Sequence, residues 1–193
     1  FVADAWLGTA LGAVLDAGLE FGGGQAQPRQ RFLVEMVSAN PTGPITVASA
    51  RNGAFGDSVA RLLAFAGHDV EREYYYNDSG AQMDKFRESV EAVRRGEEPS
   101  ADGYQGDYIA DIAAVPGDPV AAMRTQIEGT LERFRIHFDS WVSQIEMEQR
   151  VADLLPKVHT YEADGPHWTR TPASGDGNAR PPVRPPTGPY LHL

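Results

Sequence analysis

Residues 31–96 alternate between short apolar runs and longer segments with helical spacing, and this order restricts the fold more than any other feature of the chain. Short runs rich in β-formers predict strands, and apolar residues that recur every three to four positions predict helices. The predicted elements are a strand over 31–38, a turn over 40–44, a helix over 47–66, a strand over 69–78 and a helix over 79–96, with Ser79 as its cap. This order is typical of a parallel, doubly wound α/β sheet.

Three regions differ in composition and predict the domain organisation. Residues 1–30 combine an amphipathic helix with a glycine-rich linker, and we interpret them as the end of an N-terminal helical region. Residues 31–96 form the βαβα half. Residues 97–193 are predicted to be a connective insertion, first loop-rich and then largely helical, followed by a proline-rich C-terminal segment. The proline-rich stretch 180–189 is expected to be extended.

Charge and composition exclude several classes of protein. The formal net charge is −10, which counts against strong nucleic-acid binding by this segment alone, so no DNA partner and at most weak tRNA contact are expected. There is no cysteine, and no histidine pair has metal-ligand spacing on a predicted helix, so no metal is assigned. No apolar run approaches the ~18 residues of a membrane span. A cytoplasmic protein without a membrane partner is expected.

Polar residues follow the first predicted strand, where parallel α/β sheets bind ligands. Glu35, Ser38 and Asn40 are interpreted as sharing one face of the strand end, close to the free N–H groups of the next helix. A carboxylate, a hydroxyl and an amide together could recognise a polar amino acid or a sugar. Alternatively, Ser38 and Asn40 serve only to cap local backbone groups.

A second polar group follows the second predicted strand. Asn77 and Asp78 end the sequence YYYND, and Gln82 lies four residues beyond them. These residues could line a ligand cavity at the carboxyl end of the sheet. Alternatively, Asn77 and Asp78 only turn the chain and cap a helix.

Six motifs in the same order resemble those of arginyl-tRNA synthetases, which are class I synthetases. The motifs are VEMVSANPTGP (34–44), GDSVARLLAFAGHDVEREYYYNDSGAQMDK (56–85), YQGDYI (104–109), FRIHFDSWVSQ (134–144), YEADGPHWTRTPASGDGNAR (161–180) and TGPYLHL (187–193). The resemblance implies a Rossmann-type class I catalytic domain, of which this chain holds the first half of the parallel sheet and a helical, loop-rich insertion. It also implies a reaction in which arginine and ATP form arginyl-adenylate, followed by transfer of arginine to tRNA.

The resemblance also implies an arginine site. Family positions that bind arginine fall on Glu35, Ser38 and Asn40, with Tyr190 opposite them. Asn77, Asp78 and Gln82 match further positions that line the same cavity.

The chain departs from the family at the motif HVGHAR, the family's form of the HIGH signature. The two histidines fall on Thr46 and Ser49, and the glycine falls on Ala48. Hydroxyls are shorter than imidazoles and never cationic, so these three positions are predicted to be non-functional in catalysis. Thr46 and Ser49 could instead be the N-cap and first-turn residues of an ordinary helix. The sequence also ends three residues after Tyr190 and has no lysine loop of the KMSKS type, which suggests a truncated relative.

Three hypotheses for function follow. The first is a pseudoenzyme that uses no cofactor and binds arginine or another guanidino ligand, aminoacyl-tRNA or a protein partner. The second is an active arginine–tRNA ligase that uses ATP with Mg²⁺, in which Arg51 replaces the histidines. The third is a fragment with an interaction role only, whose proline-rich stretch 180–189 binds a partner.

Overall fold

The computed structural model describes residues 2–154, 160–162, 167–169 and 182–184. The helices are α1 (Asp4–Ala17), α2 (Val47–Ala66), α3 (Ala81–Arg94), α4 (Asp107–Ala113), α5 (Pro119–Arg133) and α6 (Gln144–Leu154). The strands are β1 (Arg31–Glu35), β2 (Asp69–Tyr76), β3 (Ser140–Ser143), β4 (Thr160–Glu162), β5 (His167–Thr169) and β6 (Pro182–Arg184). A single 3-10 turn (Gly18–Glu20) follows α1.

The first sheet has the strand order β1-β2-β3. β1 and β2 are parallel, with a register that runs from Arg31 beside Asp69 to Glu35 beside Glu73. The predicted α/β class is therefore confirmed. The first strand is shorter than predicted, because the backbone turns directly after Glu35 instead of continuing to residue 38.

The second sheet is antiparallel, with the order β4-β5-β6. Its last strand, Pro182–Arg184, falls in the proline-rich stretch that was expected to be extended. The remainder of that stretch lies outside the described residues.

The caps of α2 and α3 differ in how well the sequence predicted them. α2 has the predicted bounds: the Thr46 side chain caps its first turn, and Gly67 ends it with φ 105°. The prediction that Ser79 caps α3 is wrong, because Gly80 occupies the N-cap position and no side chain caps this helix. Instead, the Ser79 N–H donates to Asn77 Oδ1 over 2.9 Å.

The segment over 118–155, predicted to be largely helical with an interruption or bend at FDSW (138–141), has a strand at that interruption. β3 takes up part of the sequence FDSW and separates α5 from α6. The predicted loop-rich insertion over 97–117 contains the two-turn helix α4, which packs against α3.

The chain divides into two compact units, which are described separately. The first consists of residues 1–39, 45–74 and 125–141, and the second of residues 40–44, 75–124 and 142–193. The buried apolar residues of the first unit are Met36, Ala60, Tyr74, Ile127, Leu131 and Ile136. Among the described residues of the second unit, the buried apolar side chains include Met83, Phe86, Val90, Ala92, Ile109, Ile112, Val120 and Met123.

Helix α1 forms as predicted but buries none of its residues. Its apolar side chains are exposed, including Trp6, Leu7 and Leu11.

Candidate functional site

The N-terminus of α2, in the first unit, holds Thr46, Ala48 and Ser49, which the resemblance predicts to occupy the HIGH positions. Thr46 Oγ1 accepts a hydrogen bond from the Ser49 N–H over 3.2 Å. The same oxygen lies 3.1 Å from Ser49 Oγ, so the two hydroxyls are hydrogen-bonded to each other. The sequence-based interpretation of Thr46 as an N-cap and Ser49 as a first-turn residue is therefore confirmed. Whether the pair has any other role stays a prediction.

Two neighbouring residues on α2 are exposed. The Ala48 methyl group lies in the first turn, at the position that the resemblance predicts to be that of the family's glycine. Arg51, one turn further, is the nearest cationic side chain along this helix. Since the first-turn N–H groups and the helix dipole favour anions, this end of α2 retains a weak, general attraction for negative charge.

The segment after β1 makes a tight turn in the first unit. The Ser38 N–H donates to the Met36 carbonyl over 2.9 Å, and Val37 and Ser38 have φ values of 66° and 44°. The alternation of side chains between the two faces of the sheet therefore stops at Glu35. The prediction that Glu35, Ser38 and Asn40 share one face of a strand is wrong, because no strand continues through residues 36–40.

Glu35 lies in an acidic environment. It is paired with Glu73 of β2 in the sheet register. Burial, followed by repulsion from the carboxylates of Glu35 and Glu71, raises the pKa of Glu73 above its ordinary value. The carboxyl end of β1 is thus a place where a cationic group would be favoured.

In the second unit, two predicted ligand residues lie in direct contact. Asn40 Nδ2 donates to Gln82 Oε1 over 2.8 Å, which joins the turn after β1 to the first turn of α3. The Tyr108 hydroxyl donates to the Thr42 carbonyl over 3.0 Å and holds the same turn from α4. Two of the predicted side chains are therefore brought together, with amide groups at their ends.

Asp78, also in the second unit, caps a helix that is distant in sequence. Its Oδ2 accepts from Ser143 Oγ over 2.6 Å, and its Oδ1 accepts from the Ile145 N–H over 3.1 Å. Asn77 binds the backbone of Ser79, as described above. Asn77 thus has the local role that the sequence left as an alternative, whereas Asp78 caps a helix that no local pattern connects to it. Binding of a ligand by either residue stays a prediction.

The predicted site residues fall in both units. Glu35, Ser38, Thr46, Ala48 and Ser49 belong to the first. Asn40, Asn77, Asp78 and Gln82 belong to the second. Tyr190 lies outside the described residues.

Three further residues shape the strand ends, and the sequence analysis missed them. Ser143 begins the sequence SQIE, a capping-box pattern that could have identified it, and the Glu146 N–H donates to its hydroxyl. Asn52 and Tyr74 bind the backbone of the turn after β1. No local pattern marks these two residues, because their partners lie 15 and 35 positions away.

Neither a membrane span nor a metal cluster is found among the described residues. Within them, no helix is both long and apolar enough to cross a membrane. In the same part of the chain, no group of three or more histidine, aspartate or glutamate side chains could hold a metal ion.

Comparison with known proteins gives one consistent family. No protein-family profile matches the sequence. An arginine–tRNA ligase from Frankia alni is 42% identical over 205 residues, which cover 92% of this chain and 37% of the relative. One from Geobacter metallireducens is 38% identical over 214 residues, with 92% and 38% covered. The chain thus spans little more than a third of the length of these curated relatives.

A solved structure agrees with the sequence matches. A Campylobacter jejuni protein named provisionally as an arginyl-tRNA synthetase aligns with a TM-score of 0.78 and 26% identity, over 99% of this chain and 48% of that protein. Over most of its length, the chain is therefore a homologue of the arginine–tRNA ligases.

Proposed function

We propose that this protein keeps a recognition site for arginine or a similar guanidino ligand and does not form arginyl-adenylate. The observation that carries the proposal is the mutual hydrogen bond between the Thr46 and Ser49 side chains at the N-terminus of α2. The family resemblance assigns to these two positions the histidines that would contact the triphosphate of ATP.

The residues at this helix end fit ATP with Mg²⁺ poorly. One hydroxyl proton of the pair is used in the mutual hydrogen bond, and neither side chain carries a charge. Removing one preorganised donor from an active site typically costs ~3–4 kcal/mol of transition-state stabilisation. If the two losses are additive, adenylate formation would slow by on the order of 10⁵-fold. We therefore assign no reaction step to this helix end.

The arginine side of the proposal is supported by charge and by amide groups. Glu35 lies beside Glu73, whose pKa is raised first by burial and then by repulsion from Glu35 and Glu71, so a cationic ligand would relieve the repulsive part. In the second unit, the paired amides of Asn40 and Gln82 could exchange their mutual hydrogen bond for one to a polar ligand.

Two assays on the longest natural product that contains this chain test the proposal. The first is arginine-dependent ATP–pyrophosphate exchange, for which we expect no signal above background. The second is calorimetric titration with L-arginine, for which we expect binding that Glu35→Gln weakens about tenfold and that neutral citrulline does not reproduce. Glu20→Gln is the matched control, because Glu20 is an exposed carboxylate on the 3-10 turn that follows α1.

The two assays overturn different parts of the proposal. Exchange above background in the natural protein would show that adenylate forms without the histidines. Absence of arginine binding by a folded protein would overturn the ligand assignment. Equal weakening by Glu35→Gln and Glu20→Gln would show that the effect comes from net charge and not from a site.

The second candidate is an active ligase that uses ATP with Mg²⁺ and transfers arginine to tRNA. One observation favours it: Arg51 is an exposed, permanent cation one turn into α2, where it could replace the missing donors. This candidate predicts measurable exchange, and it predicts that Arg51→Gln abolishes that exchange. Exchange that persists in Arg51→Gln would exclude Arg51 as the replacement.

A further inference from the structure

The turn after β1 has a strained backbone at its two central residues. The hydrogen bond from the Ser38 N–H to the Met36 carbonyl spans two residues, as in a γ-turn, and Val37 between them has φ 66°. The positive-φ form of this turn is rare and strained. It is least favourable for a β-branched residue such as Val37. The next residue, Ser38, also has a left-handed φ of 44°.

Two side chains from other elements bind the backbone on either side of Ser38. Asn52 Oδ1, on α2, accepts from the Val37 N–H over 2.6 Å. The Tyr74 hydroxyl, on β2, donates to the Ala39 carbonyl over 2.8 Å and accepts from the Ala39 N–H over 3.2 Å. Ser38 therefore lies between two backbone positions that are each held by a side chain.

Tyr74 is a rigid anchor. It is 1% exposed, and its ring stacks on Trp141 with centroids 4.2 Å apart and an interplanar angle of 16°. Phe138 contacts the same ring edge-on at 5.2 Å. Because burial raises the pKa of Tyr74 to about 12, its hydroxyl keeps its proton at neutral pH and remains a donor.

Close packing keeps the turn from relaxing toward α2. A Cβ at Gly53 would lie 2.9 Å from Val37 Cγ2 and 3.0 Å from Ile136 Cδ1. Val37 is therefore held against the helix backbone, and the strained conformation is fixed from several directions at once. Strained residues that the surrounding structure holds in place are characteristic of ligand-binding sites.

We infer that Asn52 and Tyr74 are positioning residues, which hold the turn so that Ser38 is presented to the ligand. The inference rests on the proposed function, since it assumes that arginine or a guanidino ligand contacts this turn. It adds two residues that do not touch the ligand but fix the conformation of one that does. The hydrogen bond of Asn52 should therefore matter for affinity, although Asn52 is an exposed residue on a helix surface.

The test compares two substitutions at Asn52 in the natural product that contains this chain. Asn52→Leu removes the acceptor, and Asn52→Asp keeps an oxygen that can accept from the Val37 N–H. We expect the affinity for L-arginine to fall tenfold or more in Asn52→Leu and to stay within about threefold of the natural protein in Asn52→Asp. Amide hydrogen exchange at Val37 and Ser38 should rise only in Asn52→Leu, with a melting temperature close to that of the natural protein.

Tyr74→Phe provides a second, independent variant, with Tyr104→Phe as its control. Tyr104 loses the same hydroxyl group but lies in the other unit, where its ring packs edge-on against Phe86. We expect tenfold weaker arginine binding in Tyr74→Phe and none of this loss in Tyr104→Phe. If Tyr74→Phe fails to fold, the comparison of Asn52→Leu with Asn52→Asp tests the inference by itself.

The outcomes separate this inference from the proposed function. If the natural protein binds arginine and Asn52→Leu binds it equally well, the inference is overturned and the proposed function stands. If the natural protein does not bind arginine, the proposed function falls. Unchanged amide exchange at Val37 and Ser38 in Asn52→Leu would overturn the inference whatever the ligand result.

Discussion

Gly56→Ala provides a sharp test of how α2 packs against the end of β1. Gly56 is buried in α2, and a Cβ there would lie 2.6 Å from Met36 Cβ and 2.7 Å from Met36 Sδ. Met36 is 3% exposed, and its Cβ is attached directly to the backbone, so it cannot move aside by changing rotamer. The added methyl group must therefore push the helix and the turn apart.

The size of the effect follows from two opposing contributions. An ordinary Cβ contact begins at 3.4 Å, so the distance of 2.6 Å must grow by 0.8 Å (3.4 − 2.6). Overpacking of this kind typically costs ~1–3 kcal/mol of the free energy of unfolding. Replacing glycine by alanine inside a helix returns up to ~1 kcal/mol. Since the clash involves an atom fixed by the backbone, we expect a net loss of about 1–2 kcal/mol.

Urea unfolding of Gly56→Ala beside Gly129→Ala measures this difference. Gly129 also lies inside a helix, α5, but a Cβ there would meet no described atom within 4 Å other than those of its chain neighbours and its own helix backbone. Gly129→Ala should therefore gain about 0.5–1 kcal/mol. Each kcal/mol corresponds to roughly 2–4 °C in melting temperature for a chain of this size. If Gly56→Ala is as stable as Gly129→Ala, the close approach of α2 to Met36 is refuted.

Two further predictions concern polar groups. Ser143→Ala should lower the free energy of unfolding by about 2 kcal/mol, because it removes a helix cap and a hydrogen bond to the Asp78 carboxylate. Ser140→Ala should cost nothing, because Ser140 Oγ is buried and has no hydrogen-bond partner among the described residues. Glu73→Gln should stabilise the protein by roughly 0.2–1 kcal/mol at pH 7, because the Glu73 carboxylate is partly buried and lies directly opposite the like charge of Glu35. Because the pKa of Glu73 is raised, the natural protein loses stability as the pH rises above 4.5, so the stabilisation by Glu73→Gln should disappear below that pH in urea unfolding. A stabilisation that does not depend on pH would refute the electrostatic cause.

The sequence predicted α2 completely and the end of β1 incorrectly, and the reason is the range of the interactions. Thr46 and Gly67 lie at the two ends of α2 and cap it locally, so both leave a signal in the sequence. The run RFLVEMVS has a strand-like composition throughout. Its turn at Val37 depends instead on Asn52 and Tyr74, which are distant in sequence and cannot be recognised from the run itself.

The candidate site shows the same division between local and distant signals. The N-cap role of Thr46 was available from the sequence as an alternative interpretation, because an N-cap needs only a hydroxyl residue before a helix. The cap that Asp78 provides for α6 was not predicted, because the two are 65 or more positions apart and meet only through the fold. The contact between Asn40 and Gln82 likewise joins a turn to a helix 42 positions away.

Helix capping and phosphate binding make different demands on the N-terminus of α2. A capping hydroxyl must accept from a backbone N–H of its own first turn, as Thr46 does from Ser49. A catalytic donor must instead point away from the helix, toward the position where charge develops. The pair that is formed here stabilises the helix and leaves the dipole and the remaining first-turn N–H groups to attract an anion. Such an attraction acts equally on a ground state and a transition state, so it can support binding without accelerating a reaction. A helix end of this kind is therefore compatible with a protein that binds its ligand and does not activate it.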